Sequence, residues 1–208
     1  IIAGFPGETR RDFEETLRSM RRHFPEHHSA AVQRPLGTGA HFSGLEDPVG
    51  RRTITFADDD DPRAFVVTPG MSPAGEEARR QLLATLADVD DGAATALLED
   101  ADLDPAALSA AVRRATLSGK FVPLLCGSAL RNKGVSQVLD AVCDWLPSPL
   151  DVPPPHAVDA SGVDVVVPPP SDEASLVALA FKVSLLDELR RFVFLRVYTG
   201  RIAEGDAV

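Results

Sequence analysis

Only two cysteines occur in 208 residues, Cys126 and Cys143, and each lies in an apolar stretch. Thiols in such settings are usually small buried hydrophobes, so the sequence predicts neither a disulfide framework nor a cysteine-rich metal centre. That usage fits a reducing compartment. No apolar run reaches the roughly 20 residues that a membrane-spanning helix requires, and no membrane partner is expected. Positive charge is also short: 21 Lys and Arg face 31 Asp and Glu, a formal net charge of −10. An overall field of that sign argues against DNA or sequence-independent nucleic-acid binding, while leaving room for a local basic patch. No Gly-rich phosphate loop ending in Gly-Lys-Ser or Gly-Lys-Thr is present. No His is placed by sequence to activate Ser128, whose one ionisable sequence neighbour is Arg131, so a serine hydrolase is dismissed.

The length suits one large domain or a domain plus part of another. The hydrophobic fraction of 44% and charged fraction of 25% are those of an ordinary globular chain. The chain opens at Ile1, not Met, inside one apolar run and ends at Val208 inside another. It reads as a segment of a longer protein, so a missing targeting peptide carries no weight.

The most informative tract is Val122–Pro149. An apolar run through Cys126 ends in Gly127-Ser128-Ala129. A polar turn, Arg131-Asn132-Lys133-Gly134, leads into an amphipathic stretch from Val135 to Leu146 that prolines close. The pattern predicts a buried strand, a tight turn and a helix of an open α/β sheet, where ligands sit at the carboxyl end of the strand. Upstream, Ile1–Phe5 reads as a strand end. Phe13, Leu17, Met20 and Phe24 recur at helical spacing, and a helix is predicted over residues 10–23. Residues 25–70, with apolar pieces Ala30–Val32, Thr53–Phe56 and Phe65–Val67, predict a small antiparallel sheet. The run Asp58–Asp61 reads as a solvated hairpin tip, not a calcium loop. His23, His27 and His28 lack a Cys or carboxylate in metal-ligand spacing. Helices are predicted at 74–89, 93–99 and 105–118, with Pro105 a start signal and Gly119 a stop. The acids between Asp88 and Asp104 read as solvated surface, with a docking face as the sharper alternative. Prolines 153–155 and 168–170 predict a linker, and the apolar runs from Leu176 predict the first strands of a barrel.

Several of these pieces resemble one family. The tract VPLLCGSALRNKGVSQVLDAVCDWLPSPLDVP resembles the last GTP-domain motif, final helix and domain exit of elongation factor G and its organellar relatives, the translational GTPases. LVALAFKV and FVFLRVYTGRIAEGDAV are similar to the opening strands of that family's second domain. Val32–Gly37 and His41–Gly44 are similar to the start of the subdomain inserted in its GTP domain. The resemblance runs from about residue 11 to the end.

It implies an α/β fold: the C-terminal part of a P-loop GTPase domain with an inserted α+β subdomain, then the start of a β-barrel domain. The implied organisation is a partial GTP-binding domain at 1–150 with its insert at 30–118, a Pro-rich linker at 151–174, and the barrel start at 175–208. It implies GTP or GDP as ligand, with Ser128, Ala129 and Leu130 on the guanine side and Asn132 and Lys133 shaping the turn. It also implies action on the ribosome in translocation or recycling, through ribosomal RNA and stalk proteins, in the cytoplasm or mitochondrial matrix, with the matrix favoured. Magnesium would be held only through motifs that this chain lacks. No catalytic residue is assigned, and GTP hydrolysis is not expected of this chain alone. The guanine-reading Asn-Lys-x-Asp falls near Gly4–Gly7, which here is Gly-Phe-Pro-Gly. Two arginines, Arg190 and Arg191, replace a usual Gly. A competing likeness covers the first 17 or so residues: Gly4–Thr9, GFPGET, resembles a segment of radical S-adenosylmethionine methylthiotransferases, which implies a fragment of that kind or a chimera, yet their Cys-x3-Cys-x2-Cys cluster motif is absent. A third alternative is a non-catalytic ribosome-interaction module using the acidic 88–104 region and Arg190, Arg191 and Arg196.

Overall fold

The computed structural model describes residues 2, 3, 15, 18, 19, 22, 23, 27–57, 61, 64–185 and 191–207. Gly4–Gly7, most of the helix expected at 10–23, Asp58–Asp60, Asp187–Arg190 and Val208 lie outside them. The chain divides into two units, one ending at Leu146 and the other starting at Pro147.

In the first unit, β1 (Ile2–Ala3), β2 (His28–Ala31), β3 (Arg34–Leu36), β4 (Gly44–Asp47), β5 (Arg52–Phe56) and β6 (Phe65–Pro69) precede helices α1 (Pro73–Ala87), α2 (Asp91–Leu98) and α3 (Pro105–Leu117). Strands β7 (Phe121–Leu124) and β8 (Cys126–Gly127) and helix α4 (Val135–Trp145) complete it. The run from Phe121 to Gly127 serves two parallel partners. Its first part pairs with β2, His28 opposite Phe121 and Ala31 opposite Leu124, and its second part pairs with β1, Ile2 opposite Cys126. Strands β3-β4-β5-β6 form a separate antiparallel sheet.

The predicted antiparallel sheet is therefore corrected at one edge: Ala30 belongs to the parallel pair. A short apolar run has no period that separates the two cases. Strand β4 escaped notice because it carries Glu46 and Asp47, both buried. Glu46 is tolerated there because it accepts from Arg34 Nη1 at 2.7 Å and from the Ser72 N–H at 2.6 Å. Burial pushes its carboxyl up, but the Ser72 and Arg34 donors outweigh that, and the group sits below its ordinary value.

The helices begin where their caps dictate. Ser72, Asp90 and Asp104 accept from the N–H groups of Gly75, Ala93 and Ala107 at 3.3, 2.9 and 2.7 Å, and Pro73 and Pro105 occupy first turns that need no N–H. Leu82, Leu86, Leu108, Val112, Phe121 and Trp145 share one core with Ala30 and Val32; truncating such a leucine costs about 2–5 kcal/mol. Buried Arg79 donates to the carbonyls of Pro48, Val49 and Leu103 and to Asp102, tying α1 to the β4–β5 turn and the segment before α3. Helix α4 buries Gln137, Ala141 and Trp145 at four-residue spacing. Cys143 falls on the opposite side and is exposed, correcting the expectation that both thiols are buried.

In the second unit, the stretch expected as a linker carries a hairpin, β9 (His156–Val158) with β10 (Asp164–Val166). Its prolines flank the two strands and do not interrupt them, so the ladder loses no donor. Asp159 closes the turn by accepting from the N–H groups of Ser161 and Val163 at 2.8 and 3.0 Å. Strands β11 (Val177–Leu185) and β12 (Arg191–Thr199) pair antiparallel with register shifts, and leave Phe181, Val183, Leu185 and Phe192 exposed.

Candidate functional site

Strand β8 delivers the chain into a closed elbow. The Ser128 N–H donates to the Lys133 carbonyl at 2.7 Å, and the Lys133 N–H returns to the Ser128 carbonyl at 3.0 Å. Between them, Ala129–Arg131 makes a single 3-10 turn, with the Arg131 and Asn132 N–H groups bonded to the carbonyls of Ser128 and Ala129 at 3.1 and 3.2 Å. The turn reverses through two left-handed residues, Asn132 (φ 51°) and Gly134 (φ 85°), which Asn tolerates and Gly adopts freely. Both flanking glycines are required by space as well. A Cβ on Gly127 would lie 2.8 Å from the Lys133 carbonyl oxygen, and one on Gly134 would lie 2.9 Å from that of Cys126.

The three residues expected on the guanine side share this elbow but play unequal parts. Ser128 is buried; Ala129 and Leu130 are exposed, Leu130 at 87%. Among the described residues, neither the Ala129 nor the Leu130 N–H has a hydrogen-bond partner. Two neighbouring main-chain donors beside a methyl side chain suit a planar ligand carbonyl oxygen. Lys133 is 8% exposed. Cys126, just upstream, is buried and its thiol is pushed up to about 12 by that burial.

Gln33 was missed at the sequence level. Its Oε1 accepts from the Cys126 N–H at 3.1 Å across 93 residues of chain, and no local pattern announces such a partner.

Elsewhere, the acidic 88–104 stretch is partly consumed by the fold. Asp90 caps α2 and takes a bidentate pair from Arg114, at 2.8 and 3.0 Å. Asp102 meets Arg51 and Arg79. Asp104 caps α3. His23 Nδ1 sits 2.8 Å from the Ser19 carbonyl, and His28 Nδ1 sits 3.4 Å from Asp88. Among the described residues no three His, Cys, Asp or Glu side chains are grouped to hold a metal, and no helix is long and apolar enough to cross a membrane. Arg196 lies over the Tyr198 ring at 5.6 Å.

No protein-family model matches the chain. It is 38% identical over 178 residues to Elongation factor G 2 of Syntrophus aciditrophicus (strain SB), covering 84% of this chain and 26% of that protein. Over that span the chain is similar to elongation factor G. A second Elongation factor G 2, from Syntrophomonas wolfei subsp. wolfei (strain DSM 2245B / Goettingen), is 34% identical over 200 residues, covering 95% of this chain and 28% of the relative. The chain thus spans about a quarter of the length of these curated relatives. The solved crystal structure of ttk003000868 from Thermus thermophilus matches 94% of this chain and 26% of its own with a TM-score of 0.64 at 21% identity, a likeness of fold. The methylthiotransferase and non-catalytic alternatives are not favoured by these elongation factor G relatives.

Proposed function

We propose that this chain supplies the guanine-side elbow, the inserted subdomain and the start of the second domain of a translational GTPase of the elongation factor G type. The carrying observation is the pair of unpartnered N–H groups at Ala129 and Leu130, on a turn whose glycines leave no room for side chains. This donor set fits a guanine carbonyl oxygen, with Ser128 anchoring the turn through its main chain. The phosphate grip and magnesium ligands belong to motifs this chain does not carry, so bound GTP or GDP would receive from it orientation of the base alone. Phosphoryl transfer depends on phosphate cradling and charge neutralisation, and the 208-residue chain has no GTP turnover of its own in this reading.

The ribosome is the proposed partner, in translocation or recycling. Ribosomal RNA would meet the arginines of the second unit, and a stalk protein the exposed acids Asp91, Glu99 and Asp100. The compartment is one that holds ribosomes under reducing conditions, the cytoplasm or the mitochondrial matrix. The test is amide NMR on the chain with GDP and ADP. GDP moves the Ala129 and Leu130 amide signals and ADP does not; equal effects, or none, overturn the guanine assignment, and measurable GTP hydrolysis by the purified chain overturns the inactive reading.

A further inference from the structure

The elbow is reached by a strand that has lost a ladder neighbour. Strand β2 runs parallel to β7 and its pairing continues one residue further, the Val32 N–H donating to the Leu124 carbonyl at 3.0 Å. In a regular parallel ladder the next donor on that edge, the Cys126 N–H, would be taken by a main-chain carbonyl of the same neighbour. Here the neighbouring chain turns away at Gln33 to begin β3 at Arg34 in the antiparallel sheet. The Gln33 side chain takes over the missing position, its Oε1 accepting from Cys126 at 3.1 Å. Gln33 is 5% exposed and Cys126 is 5% exposed, so water does not compete for this bond.

We infer that Gln33 is the positioning residue for the Ser128–Leu130 elbow, holding β8 in register at the point where the chain leaves the parallel strands for the antiparallel sheet. The assignment of guanine to that elbow rests on the function proposed above; the positioning itself rests on the hydrogen bond. Cys126 is two residues from Ser128, and β8 is only two residues long. With β1 on one edge and Gln33 on the other, a fault at Cys126 passes directly into the elbow. Gln33 therefore fixes where the Ala129 and Leu130 donors stand, and it does so from just beyond the β2 ladder, so that the inserted sheet and the base-facing turn share one anchor.

The test is residue-resolved hydrogen exchange on the 208-residue chain. Gln33→Met keeps the volume and removes the acceptor; Gln33→Glu keeps an acceptor. An orphaned buried donor raises local opening on the order of tenfold or more. The expected result is faster exchange from Cys126 through Ser128 in Gln33→Met, unchanged exchange at Leu108 and Val112, and recovery of protection in Gln33→Glu. Uniform acceleration across the unit would make Gln33 merely structural and overturn the inference, as would no change at all. A measurement without any variant guards against a misfolded one: in the unaltered chain the Cys126 amide exchanges as slowly as that of Val32, and free exchange there refutes the bond. The GDP-induced shifts at Ala129 and Leu130 weaken about tenfold in apparent affinity in Gln33→Met. Should the unaltered chain show no GDP response while the exchange pattern holds, the guanine assignment falls and the positioning role stands.

Discussion

Replacing Gly134 with alanine separates two costs that usually arrive together. Gly134 is left-handed, φ 85°, and an added Cβ would meet the Cys126 carbonyl oxygen at 2.9 Å and Gly127 Cα at 3.0 Å. Both are main-chain atoms, so neither swings aside. Gly119 provides the internal control: it is also left-handed, φ 72°, at the end of α3, and its Cβ would meet nothing within 4 Å. The left-handed backbone costs a non-glycine residue about 1–2 kcal/mol, which is all that Gly119→Ala should lose. Gly134→Ala adds crowding that forces the elbow apart, about 1–3 kcal/mol for an overpacked site, for a total of roughly 2–5 kcal/mol. Trp145, the only tryptophan, is buried in the core of the same unit, so its fluorescence follows urea unfolding of both variants. At a slope of about 1–3 kcal/mol per molar urea, an extra ~2 kcal/mol moves the midpoint by roughly 1 M with the slope unchanged. Equal midpoint shifts for the two variants would refute the claim that the Cys126 carbonyl closes the space behind Gly134. The same Gly134→Ala chain should lose the GDP-dependent signals at Ala129 and Leu130, whereas Gly119→Ala keeps them.

Asp90 divides in a similar way. Asp90→Asn keeps a cap for Ala93 and gives up the Arg114 pair, a loss of about 0.2–1 kcal/mol because Arg114 is half-exposed; Asp90→Ala also loses the cap, a further ~0.5–2 kcal/mol, and indistinguishable urea midpoints for the two would refute the capping role. Hydrogen bonds from Arg114 hold the Asp90 carboxyl below its ordinary value of 3.8, and Glu46 lies below 4.5. The folded chain thus binds fewer protons than the unfolded one; this stability is complete above about pH 5 and is lost as pH falls below the ordinary carboxyl range, which a pH series of midpoints checks. One thiol of two reacts rapidly with Ellman's reagent in the folded chain, the exposed Cys143, and the buried Cys126 reacts only on unfolding; prompt reaction of both would contradict the burial of β8.

What was legible in the sequence was whatever is specified locally. Asp104-Pro105 and the glycine at 119 mark α3 because caps act over one turn of chain. The strand–elbow–helix tract was readable because its glycines, its Asn132-Lys133-Gly134 reversal and the period of α4 follow one another along a short length of chain. The exposure of Cys143 was also open to a reading of period: Gln137, Ala141 and Trp145 define the buried side of α4, and position 143 is off it. Long-range facts were not legible. Strand β4 looks polar, and only Arg34 and Ser72, 12 and 26 residues away, make a buried Glu46 tolerable. Ala30 belongs to a parallel pair that no local pattern announces, because its partner, Pro123, lies on a strand that follows the antiparallel sheet and three helices. Gln33 belongs with these. Its type is ordinary, and its importance exists only once β7 and β8 have returned beside β2. The elbow's backbone course was therefore visible in a short motif, while its buried partner Gln33 was hidden by sequence separation. Local caps mark α3 within one turn of chain, whereas the hydrogen bond from the Cys126 N–H to Gln33 spans 93 residues.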